Sequence, residues 1–325
     1  MEYIPETEPL YTPVPEPRST RRAASLCAFA AIAATLLSYA ILFAYGILTV
    51  NAAFSDRMSA NLTLLVNTVA VDFIALPLAW LAFLRRIPKN DACEIETRTP
   101  LSLKKLLFYF PCAFVLMYAG ALMGTLIGML FKKGLSNVVE QAIGSVDVWV
   151  SVLCAGIIGP VAEELFFRKA MIDRLSKYHP IDAILFSAVL FALIHGNLTQ
   201  FLYAFPIGVL FGIIYWRTKN IGYTILLHVF MNTVGGVAPQ IMTMFTQGEG
   251  EGLAAMFGAL VSMLFASLML GLVVVGIVFL IRYRKRFLPI ESPLPRCRKP
   301  FYLNVGWFVA CTVFVGMFLA VELLK

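Results

Sequence analysis

Nine long runs of apolar residues, separated by short polar segments, govern what this chain can become. They lie near 23–50, 62–84, 106–130, 148–167, 181–195, 198–216, 221–245, 253–281 and 305–324. A helix needs roughly 20 apolar residues to cross about 30 Å of hydrocarbon, and most of the runs reach that length. Lipid offers a backbone no water to bond, so each run must close its hydrogen bonds internally as a helix. With 60% of its 325 residues hydrophobic and a mean hydropathy of +0.82, the chain lies outside the soluble range, where roughly half the residues are apolar. The expected fold is all-α, a polytopic transmembrane bundle of eight or nine helices. The doubt in the count comes from the fifth and sixth runs, which are short and closely joined.

Charge placement orients the bundle. With the N-terminus in the cytoplasm, 22 of the 26 basic residues fall on the inner side, the exceptions being Arg57, Lys132, Lys133 and Lys325. That bias is the positive-inside signature. It accounts for the net charge of +7 through anionic lipid, so nucleic acid is not needed as a partner. The expected location is an integral membrane protein of the plasma membrane, surrounded by lipid. The first run is too long for the ~7–15-residue core of a cleaved signal peptide. The six cysteines, Cys27, Cys93, Cys112, Cys154, Cys297 and Cys311, have no paired or metal-finger spacing and read as small apolar residues.

Four regions follow. Residues 1–22, with five prolines among Glu and Thr, form an extended cytoplasmic tail. Residues 23–146 hold the N-terminal helices, 147–245 a core carrying the polar motifs, and 246–325 the C-terminal helices. In the third helix Gly120-x-x-x-Gly124-x-x-x-Gly128 makes a small-residue face suited to packing inside the bundle. Asp72, shortly before Pro77, is a carboxyl expected to bond a neighbouring helix. His179, beside Pro180, reads as a solvated turn residue, and Glu322 lies close enough to a boundary to reach water.

Three polar clusters interrupt the core helices: Glu163-Glu164-x-x-x-Arg168, Phe191-x-x-x-His195 and His228-x-x-x-Asn232. Ionisable groups at membrane depth cost several kcal/mol and are usually functional. Glu164 and Arg168 are four apart and suited to an ion pair, whereas Glu163 is turned by about 100° and left for chemistry. Phe191 would pack beside the His195 imidazole and shield it. His228 and Asn232 share a helix face. With α-helical rise throughout, Glu163 and His195 each lie about 21 Å from the inner helix ends and His228 only about 12 Å.

In order and spacing the trio resembles the signature of the CPBP family of intramembrane proteases (CAAX prenyl protease type 2 and bacteriocin-processing, also called Abi). That family's pattern is E-E-x-x-x-R, F-x-x-x-H and H-x-x-x-N or D on successive helices, and every defining position is matched here. The resemblance covers roughly 147–245. It implies that Glu163, helped by His195, activates a water molecule, while His228 and Asn232 stabilise the oxyanion. Glu164, Arg168 and Phe191 would support the site. Many members are called metalloproteases, and Glu163, His195 and His228 could hold zinc with one open position. The expectation here is a site that requires no metal, because Asn232 is an unusual zinc ligand and suits an oxyanion hole.

The function expected is therefore an intramembrane endopeptidase acting on a membrane-associated protein or peptide. A transporter or proton-coupled permease would use similar buried groups but would show paired repeats, and none is evident. A catalytically silent immunity or scaffold protein of the same fold is the other alternative.

Overall fold

The computed structural model describes residues 16–52, 54–89, 100–130, 145–247, 253–283, 285 and 298–323. These residues are predominantly helical, with no strand among them. Seven helices are long and apolar enough to cross a membrane: α1 (Pro17–Thr49), α2 (Asp56–Arg86), α3 (Leu103–Met129), α4 (Val148–Leu175), α6 (Leu198–Thr218), α7 (Ile221–Met242) and α8 (Met256–Arg282). Two shorter apolar helices, α5 (Pro180–Leu193) and α9 (Val305–Val321), make up the rest of the bundle.

Helix ends differ from the hydropathy boundaries where capping decides them. α1 begins at Pro17 rather than at residue 23. Proline suits the first helical turn, where its missing N–H would have no partner, so the expected tail is helical from there. Residues 1–15 of that tail lie outside the described residues. α2 starts at Asp56 because the Ser55 side chain caps it, accepting from Met58 N–H. Hydropathy cannot see this polar first turn.

Two apolar cores meet along α6. One joins α1, α2, α4, α5 and α9 around Phe167, Phe186, Leu190 and Phe314. The other joins α3, α6, α7 and α8 around Phe114, Phe211, Leu227 and Met231. The small-residue face of α3 is used between them. Gly120 lies against Tyr203 and Gly124 against Thr199, both on α6, so those two glycines pack within one chain. α8 buries little of its length, leaving Met263, Leu264, Leu270 and Ile281 exposed as expected of a lipid-facing helix.

Four stretches are π-helical: Val69–Ala75 in α2, Val152–Ile158 and Glu164–Ile172 in α4, and Met231–Val237 in α7. Three of them end two residues before a proline, namely Pro77, Pro160 and Pro239. A proline ring clashes with the carbonyl four residues earlier and offers it no N–H. Widening the turn relieves that clash, and such bulges concentrate at functional sites.

His179 departs from its expected place in solvent. It is buried at the N-cap of α5, with its Nδ1 3.3 Å from the carboxylate of Asp182, which is also buried. Cys27, Cys112, Cys154 and Cys311 are free thiols. Cys93, Cys297 and the side chain of Glu322 lie outside the described residues, as do several of the basic residues in the charge map.

Candidate active site

The two adjacent glutamates of α4 have different surroundings. Glu164 is fully buried, and its Oε1 lies 3.2 Å from Arg168 Nη1, which is itself 1% exposed. The same oxygen lies 2.9 Å from His228 Nδ1. Glu163 keeps 20% of its side chain accessible, and its Oε2 is 3.6 Å from His228 Nε2. His228 thus stands between the two carboxylates, linked to both rather than to Asn232 alone.

Arg168 is surrounded by rings as well as by charge. Its guanidinium carbon is 4.1 Å from the centroid of Phe191 and 5.7 Å from that of Phe211. An aromatic face attracts a desolvated cation strongly, and this replaces much of the solvation the buried guanidinium has lost. The Phe191 ring also meets His195 edge-on at 5.1 Å and His228 at 5.8 Å. One phenyl ring therefore packs against both histidines and the arginine. Phe211 lies 5.5 Å from His228 on the other side.

His195 is not on its helix. α5 ends at Leu193, and His195 lies in the turn that follows. Its Nδ1 is 2.8 Å from Phe191 O, capping a carbonyl left open at the helix end. A carbonyl only accepts, so Nδ1 carries the proton and neutral His195 presents Nε2 as an acceptor. Two neighbours hold the turn. Gly196 has φ +69°, a left-handed conformation that glycine adopts without penalty. Asn197 caps α6 by accepting from Gln200 N–H and donates back to His195 O at 3.1 Å.

Asn232 owes its place to a proline on another helix. In α4, Gly159 N–H turns back to Cys154 O, and residue 160 is proline with no N–H to give. Ala155 O is thereby bypassed by the helix ladder, and Asn232 Nδ2 donates to it at 2.9 Å. That bond fixes the amide's orientation and leaves one N–H free. The approach of α7 to α4 requires Gly156, where a side-chain carbon would stand 2.8 Å from Thr233 Cγ2.

Glu163, Glu164, Arg168, Phe191, His195 and His228 gather around one aromatic centre, and Asn232 anchors one turn beyond His228 on α7. The nine π-helical residues beyond Glu163 shorten α4 by only a few Å, so most of the depth mismatch expected for His228 is not in α4, and His228 nonetheless reaches Glu163 at 3.6 Å. Asp72 has no hydrogen bond to a neighbouring helix among the described residues. It lines a cavity beside α4 and lies close enough to Glu163 to interact electrostatically. Phe211, Asn197 and the Ala155 carbonyl were missed. The run of turn-widening prolines could have pointed to the last; a phenylalanine inside a uniformly apolar helix sends no signal.

Among the described residues, no three His, Cys, Asp or Glu side chains are gathered closely enough to hold a metal ion. Glu163, His195 and His228 are not drawn together as such a group in this arrangement.

The bundle turns paired carboxylates, two histidines and an amide inward, and comparison with known proteins puts it in the class of polytopic membrane peptidases. Residues 145–234 match the family model described as type II CAAX prenyl endopeptidase Rce1-like. YdiL of Bacillus subtilis strain 168, whose name assigns it provisionally to the membrane peptidases, is 30% identical over 166 residues, covering 50% of this chain and 67% of that protein. MroQ of Staphylococcus aureus strain USA300, named as a membrane-embedded CAAX protease, is 27% identical over 186 residues, covering 51% and 72%. The UPF0177 protein YbdJ of Lactococcus lactis strain IL1403 is 32% identical over 97 residues, covering 29% and 42%. No solved structure matches at a significant level. The chain belongs to the CPBP family of intramembrane proteases and is an integral membrane protein.

Proposed function

We propose that this protein is an intramembrane endopeptidase that hydrolyses a peptide bond in a membrane-associated protein or peptide, with Glu163 as general base. The observation that carries the reading is the unequal treatment of the two glutamates. Glu164 is consumed by Arg168 and His228 in a sealed environment, while Glu163 stays partly accessible beside His228. A carboxylate in low-dielectric surroundings can serve as a base near neutral pH.

A water molecule placed between Glu163 and His195 Nε2 would donate to both, leaving an oxygen lone pair for the substrate carbonyl. The proton passes to Glu163 as the new C–O bond forms, and the carbonyl π pair moves onto oxygen. Asn232 offers its remaining N–H to that oxyanion. His228, with Nδ1–H held by Glu164, would add a second donor from Nε2 only when a proton is taken up there. In that form Arg168 and His228 balance Glu163 and Glu164, so the four-residue cluster carries no net charge. Collapse of the intermediate breaks the C–N bond, and Glu163 returns the proton to the leaving amine. The charge map supports an N-terminus in the cytoplasm and a site that opens toward the inner leaflet of the plasma membrane.

Glu163→Gln tests this directly, because it keeps the shape and loses the base. Termini of membrane-associated polypeptides are compared in cells carrying wild type or the variant. Products of cleavage should vanish at equal abundance and equal detergent stability. Normal turnover by the variant would remove Glu163 from the role of base. Termini identical with and without the wild-type gene would favour the silent immunity or scaffold alternative.

A further inference from the structure

A cavity of about 600 Å³ lies between α2 and α4, beside the Glu–His cluster. Its walls are apolar, with Phe73, Leu76 and Trp80 from α2 facing Val161, Leu165 and Phe166 from α4. Phe73 and Leu165 are themselves exposed. They lie within the spanning parts of their helices, so the cavity opens sideways toward lipid.

One end is basic. Arg174 is buried and fixed to both walls, donating from Nε to Leu84 O at 2.8 Å and from Nη1 to Ala170 O at 2.9 Å. Lys89 and Lys169 line the same cavity and are exposed. Among the described residues no carboxylate lies within ion-pair distance of these three cations. The bond to Leu84 O sets this end at the level where α2 terminates. Asp72, midway along α2, marks the other end.

We propose that this cavity is a binding site for one anionic phospholipid, its phosphate at Lys89, Lys169 and Arg174 and an acyl chain along Phe73, Leu76, Leu165 and Phe166. Basic pockets between transmembrane helices hold anionic headgroups in this way. The wall chemistry selects hydrocarbon over peptide. A peptide would bring N–H and C=O groups needing partners along the whole wall, and between the basic end and Asp72 the lining side chains offer only the Trp80 indole N–H. Three cations at one end select an anionic headgroup over a zwitterionic one, whose ammonium they would repel. Val161 and Ala162 line the cavity and directly precede Glu163, so an occupant bears on the helix that carries both catalytic-site carboxylates. The proposal concerns binding and holds or fails independently of hydrolysis.

The test titrates the purified full chain in detergent with phosphatidylglycerol or phosphatidylcholine of matched acyl chains, counting retained lipid by native mass spectrometry. One phosphatidylglycerol should be retained about tenfold or more tightly than phosphatidylcholine. The double variant Lys89→Gln/Lys169→Gln should lose that preference, whereas Lys104→Gln/Lys105→Gln, exposed on α3 away from the cavity, should keep it. Equal retention of both lipids would overturn the proposal in favour of a merely apolar occupant. An equal loss in both double variants would overturn it in favour of diffuse surface charge. Displacement of the lipid by inorganic phosphate alone would reduce the site to an anion site.

Discussion

Arg168→Met is expected to be among the most destabilising single substitutions in the core, and the structure sets its size. The guanidinium and the Glu164 carboxylate are both sealed from solvent and 3.2 Å apart. Removing one partner of such a pair costs about 3–5 kcal/mol, because the other charge stays buried without its counter-ion. The cation also sits 4.1 Å from the Phe191 ring, a contact worth about 2 kcal/mol when desolvated. His228 still bonds Glu164, which offsets part of the loss and keeps the expected total near the lower figure, about 3 kcal/mol. Against a total stability of roughly 5–15 kcal/mol, that is enough to lower abundance in cells. The companion variant, Glu164→Gln/Arg168→Met, removes both charges and should recover a third or more of the cost. Reversible unfolding in mixed micelles, followed by helicity, measures both. A single variant as stable as wild type, or a double variant worse than the single by the full cost of Glu164→Gln alone, would show that the pair is not what supports α4.

Three further outcomes follow from the site. Asn232→Ala should lower kcat by about 10²–10³-fold if its free N–H meets the oxyanion. Pro160→Ala, which supplies an N–H able to compete for Ala155 O, should lower kcat in the same direction by less; unchanged kcat in both, measured on one peptide substrate, would remove the amide from catalysis. Exhaustive chelation of purified enzyme is expected to leave cleavage intact. One zinc per chain, lost in parallel with activity and restored with it, would replace glutamate-activated water as the mechanism.

The membrane bundle and the identity of the polar residues were legible in the sequence because both are local. A run of about 20 apolar residues commits to a spanning helix wherever its neighbours lie, and a charged group within it is too costly to be incidental. The pairing of Glu164 with Arg168 was equally legible, since four residues along one helix set it. Only the tertiary structure decided the rest. It placed His228 between two carboxylates of another helix, moved His195 off the end of α5, and gave Asn232 a carbonyl that Pro160 leaves unpaired. Phe211 became a wall of the site although nothing distinguishes it from the other apolar residues of α6. Hydropathy tells lipid-compatible residues from the others, but lipid and protein interior are equally apolar. Which face of each helix turns inward therefore depends on how side chains of distant segments fit, and that is written only in the packing.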